Sequence, residues 1–90
     1  MESTQVRVPW KHGLDLLPAA KIALASRLYK ARVRLRLGSR ISDAHSILGL
    51  LVLFASVNSA VLIEAEGDDE KEALKAVAAC FEPDDPALDN

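Results

Sequence analysis

Residues 31–37 read Ala-Arg-Val-Arg-Leu-Arg-Leu, a strict alternation of apolar and basic side chains. A period of two places one set of side chains on a buried face of a β-sheet and the other set in water. The stretch therefore predicts a strand whose residues Val33, Leu35 and Leu37 face the core, in a sheet with one open face. Gly38-Ser39 predicts a turn that joins this strand to a second one over 40–43.

Two more strands and three helices are predicted around this hairpin. Alternating patterns predict strands over 4–9 and 60–66. Asp15 and Ser46 are predicted N-caps, because their side-chain oxygens can accept hydrogen bonds from first-turn N–H groups. The predicted helices cover 16–29 (inner face Ala19, Ile22, Ala23, Ser26), 46–53, and the segment between the acids 68–70 and Pro83 (inner face Leu74, Val77, Ala78, Phe81). The order β-α-β-β-α-β-α predicts an α+β domain over 1–82, with an acidic, flexible tail over 83–90.

Composition excludes several classes of protein. Half of the 90 residues are hydrophobic, too many for a disordered chain. The single cysteine, Cys80, cannot form a disulfide scaffold, and with His12 and His45 far from it in sequence no metal site or cofactor is expected. The longest apolar run, 47–55, is well below the roughly 20 residues of a membrane span. The polar start of the chain argues against a signal peptide, so we expect a cytoplasmic protein.

Charge is distributed unevenly along the chain. Residues 1–42 hold nine basic and two acidic residues, whereas residues 43–90 hold two basic and eleven acidic ones. Two interpretations follow: the halves neutralise each other in the fold, or the arginines of the 31–37 strand bind nucleic acid or another anion. No aromatic residue alternates with these arginines to stack on bases, which favours neutralisation and a chain that binds no nucleic acid.

Three short segments carry a resemblance to a known family. They are His-Gly-Leu-Asp-Leu-Leu-Pro-Ala-Ala at 12–20, Asp-Ala-His-Ser-Ile-Leu-Gly-Leu at 43–50, and Glu-Gly-Asp-Asp-Glu at 66–70. With their spacing, residues 4–81 resemble HPr, the histidine-containing phosphocarrier of the bacterial sugar phosphotransferase system. The resemblance implies an open-faced β-sandwich, in which three helices cover one face of a four-stranded antiparallel sheet.

The resemblance also implies a strand order, with the fourth strand between the first and the second. That order would place Glu64 and Glu66 between Arg7 on one side and the arginines of 31–37 on the other. Such cross-strand ion pairs contribute about 0.2–1 kcal/mol each. The two oppositely charged halves of the chain would then meet on the open face of the sheet.

The chain departs from the family at the residues that carry its chemistry. In HPr a histidine accepts the phosphoryl group and an arginine two residues later helps to hold it. The matching positions here are Asp15 and Leu17. The resemblance therefore implies a protein that does not act as a histidine phosphocarrier. Asp15 remains open to three roles: a plain N-cap, a fixed negative charge that mimics phosphohistidine, or an acceptor that forms an acyl phosphate.

A second family site is better preserved. Ser46 with Ile47, Leu48 and Gly49 is similar to the segment that HPr kinase/phosphorylase recognises, although the family's lysine before the serine is His45 here. In that branch the phosphoserine form binds a catabolite-control transcription factor. A phosphate on Ser46 would also lie beside free N–H groups of the helix. The alternative role of Ser46 is that of a plain N-cap.

Leucines and one isoleucine are concentrated around both sites. In the family these two regions adjoin and bind partner proteins, and an exposed apolar patch would indicate such a partner. The alternative is that most of these side chains are buried. The sequence thus predicts a non-enzymatic regulatory or docking protein, with HPr kinase/phosphorylase, enzyme I-like or transcription-regulator partners or a second copy of itself. The predicted contact residues are Leu16, Leu17, Ile47, Leu48 and Leu51.

Overall fold

A computed structural model describes residues 1–82 of the chain. The predicted order β-α-β-β-α-β-α is confirmed, while the predicted acidic tail, 83–90, lies outside the described residues. The strands are β1 (Glu2–Arg7), β2 (Arg32–Leu37), β3 (Arg40–Asp43) and β4 (Ala60–Glu66), and the helices are α1 (Leu16–Ser26), α2 (Ile47–Leu51) and α3 (Glu70–Ala79).

The four strands form one antiparallel sheet in the order β1-β4-β2-β3. The fourth strand lies between the first and the second, as the resemblance implied. Val33 of β2 is opposite Ala65 of β4, and Leu35 is opposite Ile63, so the apolar positions of both strands share one face. The helices pack on that face, which gives the predicted open-faced α+β sandwich.

The core lies between the sheet and the helices. The predicted inner face of α1 is confirmed, because Ala19, Ile22, Ala23 and Ser26 are all buried. The buried Ser26 hydroxyl donates to the Ala23 carbonyl at 3.0 Å, so its polar atom is satisfied within the helix. The largest fully buried apolar side chains are Ile22, Leu35, Leu50, Leu53, Ile63, Val8, Val33, Val61 and Val77.

Three predicted elements have bounds that differ from the structure by two or more residues. Helix α1 ends at Ser26 rather than at 29, because the N–H groups of Leu28 and Tyr29 donate three residues back in a tighter turn. Helix α2 ends at Leu51 rather than at 53 for the same reason. Strand β1 spans Glu2–Arg7 rather than 4–9, because its partner β4 continues to Glu66 and extends the ladder toward the N-terminus.

On the open face, acidic residues of β4 pair with basic residues of β2. The Arg36 Nη2 atom lies 3.1 Å from Glu64 Oε1, and Arg34 Nη2 lies 3.9 Å from Glu66 Oε2. The predicted interleaving of the two charged halves is confirmed at these strands. Two of the three arginines of β2 are therefore engaged with carboxylates, which weakens the case for a nucleic-acid site on this face.

The predicted position of Arg7 was wrong. In the register of the sheet Arg7 is opposite Ala60, and Ser3 is the β1 residue opposite Glu64. The Arg7 guanidinium instead donates to the Asn58 carbonyl at 2.9 Å, in the turn before β4. Strand order alone does not fix which residues are opposite each other; the register does.

Asp69 joins the start of α3 to the start of β2. Its two carboxylate oxygens accept the backbone N–H groups of Lys30 at 2.9 Å and Ala31 at 2.7 Å. The hydrogen bond from Lys30 is the main cause of a lowered pKa at Asp69, because it stabilises the charged form. Gly67 also packs closely against Ala31 at this junction, since a Cβ atom on Gly67 would lie 2.8 Å from Ala31 Cα.

Candidate functional site

The loop that precedes α1 rests against the segment that follows α2. Gly13 has a left-handed backbone (φ 74°), and its N–H donates to the Trp10 carbonyl at 2.9 Å. The Leu14 N–H donates to the Ala55 carbonyl at 2.8 Å. A Cβ atom on Gly13 would lie 2.5 Å from that same oxygen, so the approach requires glycine. This contact holds the loop before α1 against the segment that follows α2.

Asp15 caps α1, as predicted. Its carboxylate accepts the Leu16 N–H at 2.7 Å, and its carbonyl accepts the Ala19 N–H at 3.0 Å. Asp15 is exposed, and among residues 1–82 no basic group forms an ion pair with it. Leu17, at the position of the family's arginine, is 69% exposed. The positions that bind phosphate in the family therefore present a carboxylate and a leucine to solvent.

Ser46 caps α2, also as predicted. It is exposed, and its hydroxyl oxygen accepts the Gly49 N–H at 2.9 Å. Its carbonyl accepts the Leu50 N–H at 3.0 Å. A Cβ atom on Gly49 would lie 2.6 Å from the Ser42 hydroxyl, so the short helix packs closely on β3. The hydroxyl is at the surface, on a backbone that its own cap holds in place.

The loop before Ser46 is tied to the end of α1. The His45 N–H donates to the Asp43 carboxylate at 2.8 Å, and the His45 ring Nε2 lies 3.2 Å from the Ser26 carbonyl oxygen. The Arg27 guanidinium donates to the His45 carbonyl at 2.9 Å. The residue before Ser46 is thus held by contacts from both β3 and α1.

The five predicted contact residues fall into two groups. Leu16, Leu17 and Leu48 are exposed by 60%, 69% and 74%, whereas Ile47 and Leu51 are half-buried and pack against the core. The helices that hold them, α1 and α2, pack against each other. We call these five residues the leucine surface. The prediction that so many apolar residues cannot all be core is confirmed for its three exposed leucines, while the role of the surface in binding stays a prediction.

The sequence reasoning missed further exposed apolar residues nearby. Leu24 and Leu28 are exposed by 62% and 80%, and Val52 and Phe54 by 52% and 74%. The exposure of Leu24 could have been predicted, because Leu24 lies two helical turns after Leu17 and so on the same side of α1, away from the buried face. Phe54 could not, because it lies in a turn with a left-handed backbone (φ 53°), a conformation that bulky residues rarely adopt.

No helix within residues 1–82 is long and apolar enough to cross a membrane. In this range there is no cluster of three or more His, Cys, Asp or Glu side chains that could hold a metal ion. Cys80 ends α3 and is half-buried rather than fully buried, and burial raises the pKa of its thiol.

Comparison with known proteins gives a consistent answer. Residues 2–83 match the family model described as the PTS HPr component phosphorylation site. Phosphocarrier protein HPr of Cupriavidus necator is 35% identical over 69 residues, which is 77% of this chain and 78% of the relative. HPr-like protein Crh of Bacillus subtilis is 35% identical over 79 residues, which is 88% of this chain and 93% of Crh.

The fold comparison agrees with the sequence comparison. The crystal structure of HPr-C-His from Thermoanaerobacter tengcongensis superimposes with a TM-score of 0.85 at 30% identity, covering 90% of this chain and 91% of that one. The fold, the family model and the curated relatives all indicate the same family. The chain belongs to the HPr family and is an HPr-like protein related to the phosphotransferase system.

Proposed function

We propose that this chain is a regulatory or docking protein of the HPr family rather than a phosphocarrier, and that phosphorylation of Ser46 switches it. One observation carries the first half of the proposal: Asp15 and Leu17 occupy the positions of the family's acceptor histidine and its arginine. The Asp15 carboxylate is engaged as a helix cap. The chain itself performs no catalysis in this proposal.

Charge argues against phosphoryl transfer at Asp15. A histidine suits transfer because its nitrogen is nucleophilic near neutral pH and its phosphoramidate is labile. A carboxylate can form an acyl phosphate. The product, however, carries a dianionic phosphate whose charge the helix N-terminus offsets only in part, and among residues 1–82 no cation is paired with Asp15.

Ser46 is chemically suited to modification by a kinase. Its hydroxyl is exposed and its only described partner is the Gly49 N–H. In the proposed step the Ser46 oxygen bonds to the γ-phosphorus of ATP, the bond from that phosphorus to ADP breaks, and the hydroxyl proton passes to a base of the kinase. The product carries a charge of about −1.5 to −2 at neutral pH, next to the exposed Leu48.

The leucine surface is the proposed contact with partner proteins. Exposed Leu16, Leu17 and Leu48 offer apolar area that a protein partner would bury. HPr kinase/phosphorylase, an enzyme I-like protein and a transcription regulator are the proposed partners, and the cytoplasm is the proposed location. The alternative is that the same surface forms a homodimer. Sedimentation velocity of the unmodified chain at several concentrations distinguishes a homodimer from a monomer that is free to bind partner proteins.

The direct test of the switch is the intact mass after incubation with ATP and purified HPr kinase/phosphorylase. We expect one phosphate adduct in the wild type and none in Ser46→Ala. Ser42→Ala is the matched control, since Ser42 lies beside Gly49 but is buried, and it should keep the adduct. An adduct that persists in Ser46→Ala, or no adduct in the wild type, would remove Ser46 as the switch.

The alternative function is a phosphoryl carrier that uses Asp15. Its support is the exposure of Asp15 at the family's acceptor position. An acyl phosphate is destroyed by hydroxylamine, whereas phosphoserine is not. Incubation with phosphorylated enzyme I, followed by hydroxylamine, therefore decides the matter: a labile adduct that is absent from Asp15→Asn would replace our proposal with the alternative.

A further inference from the structure

Arg27 is held close to Ser46 by a contact from another element. It follows α1, and its Nη2 atom donates to the His45 carbonyl at 2.9 Å, across 18 positions of sequence. That carbonyl belongs to the peptide bond that leads into Ser46. A guanidinium group has five N–H donors in a planar fork. One nitrogen of Arg27 bonds this carbonyl, and among residues 1–82 no carboxylate forms an ion pair with Arg27.

A second contact keeps the same two segments together. The His45 ring lies 3.2 Å from the carbonyl oxygen of Ser26, the last residue of α1. Ser26 is fully buried, so this end of the helix is anchored in the core. The end of α1 and the residue before Ser46 are therefore joined twice. Arg27 is placed by the fold beside Ser46, with donors that have no described acceptor.

We propose that Arg27 binds the phosphate of phosphorylated Ser46 within the same molecule. The ligand is a phosphomonoester dianion, which an arginine fork binds through two parallel N–H···O bonds. The inference rests on the proposed modification of Ser46. Its consequence is that phosphorylation would hold the end of α1 more tightly to the start of α2, where Ile47 and Leu48 of the leucine surface lie.

The other charged groups around Ser46 make Arg27 the decisive one. Asp43 accepts the His45 N–H at 2.8 Å, and its carboxylate would repel a phosphate. His45, whose Nδ1 lies 4.0 Å from Asp43, adds positive charge only when it is protonated. Arginine stays charged at every physiological pH. In the family resemblance a lysine precedes the serine; in this chain Arg27 supplies a permanent cation from α1 instead.

The test uses full-length chain with phosphoserine incorporated genetically at position 46, so that it does not depend on a kinase. Phosphorus NMR against pH gives the second pKa of the phosphate, which is near 6 for free phosphoserine. We expect Arg27→Gln to raise that pKa by about 0.3–0.7 unit, the size of an exposed ion pair, and Arg27→Lys to raise it less. High salt should reduce the difference.

Arg40→Gln is the matched control, because Arg40 also donates to a carbonyl near α2, that of Leu53 at 2.8 Å, but at the opposite end of the helix. It should leave the phosphate pKa unchanged. Each comparison is repeated in a His45→Gln background, which removes the ring next to Ser46 in sequence. Equal pKa values in the wild type and Arg27→Gln, or an equal rise in Arg40→Gln, would overturn the inference.

The outcome for Arg27 is separable from the outcome for the proposed switch. A kinase that modifies Ser46, with no effect of Arg27→Gln on the phosphate pKa, removes the role of Arg27 alone. A kinase that leaves Ser46 unmodified, with a clear effect of Arg27→Gln on the incorporated phosphate, removes the switch but keeps the phosphate-binding property. Loss of structure in Arg27→Gln would be seen in the proton spectrum, and Arg27→Lys then carries the comparison.

Discussion

Replacement of Gly13 by alanine should destabilise the fold through the contact that positions the loop before α1. Gly13 and Gly38 both have left-handed backbones, with φ of 74° and 60°. For alanine that conformation costs about 1–2 kcal/mol, and the stiffer unfolded chain returns about 0.4–1 kcal/mol. No atom lies within 4 Å of a Cβ on Gly38. Gly38→Ala should therefore lose about 0–1.6 kcal/mol.

Gly13→Ala carries the same backbone cost and a collision. Its Cβ would lie 2.5 Å from the Ala55 carbonyl oxygen, and because that oxygen belongs to the backbone, the two segments must shift apart. Separation of the segments breaks the hydrogen bond from Leu14 to Ala55, and Leu14 is only 5% exposed. A buried N–H left without an acceptor costs about 1–3 kcal/mol. The total loss should be about 1–4.6 kcal/mol, which is about 1–3 kcal/mol more than for Gly38→Ala.

Urea denaturation followed by circular dichroism measures both variants, with Gly38→Ala as the control for the backbone term. Thermal unfolding should show Gly13→Ala melting lower than Gly38→Ala by about 5–20 °C, since 1 kcal/mol corresponds to about 4–8 °C in a domain of this size. Equal losses of stability in the two variants would show that the Gly13–Ala55 contact contributes nothing beyond backbone conformation.

Three further outcomes follow from the contacts described above. Leu50→Ala should lose about 2–5 kcal/mol in urea denaturation because Leu50 is fully buried, whereas Leu48→Ala, on the exposed side of α2, should lose about 0.5 kcal/mol or less. In Asp69→Asn the free energy of unfolding should fall less steeply at acid pH than in the wild type. The pKa of the Asp69 carboxyl is lowered in the folded state, so this group stabilises the fold above its unfolded pKa of about 3.9. That contribution is lost as the pH falls through the lower pKa of the folded state. A double-mutant cycle between Arg36 and Glu64 should give a coupling of about 0.2–1 kcal/mol that salt reduces.

Local patterns were sufficient for the elements and their caps. The strict alternation at 31–37 predicted the bounds of β2 to within one residue, and the strand predicted over 60–66 has the same bounds as β4. Asp15 and Ser46 were identifiable as N-caps because the preference for short oxygen-bearing side chains depends only on the first turn of the helix. The strand order came from the family resemblance rather than from the alternation itself.

Tertiary contacts account for what the sequence did not reveal. Arg7 was misplaced because the offset between β1 and β4 depends on pairing along the whole strand. The opposite burial of Leu48 and Leu50 could not be assigned, because α2 has five residues and offers barely more than one helical turn of periodicity. The approach of Arg27 to His45 links residues 18 positions apart and depends on how α1 packs on α2.

The most direct test of the central claim restores the missing chemistry. Intact mass is measured for the wild type and for the double variant Asp15→His/Leu17→Arg after incubation with phosphorylated enzyme I. Both replaced side chains are exposed, but loss of the Asp15 cap should cost about 0.5–2 kcal/mol, so circular dichroism checks that the double variant is folded. We expect no adduct on the wild type and an acid-labile phosphate on the double variant, which would show that these two positions separate this chain from a phosphocarrier. A phosphate adduct on the wild type would contradict the claim.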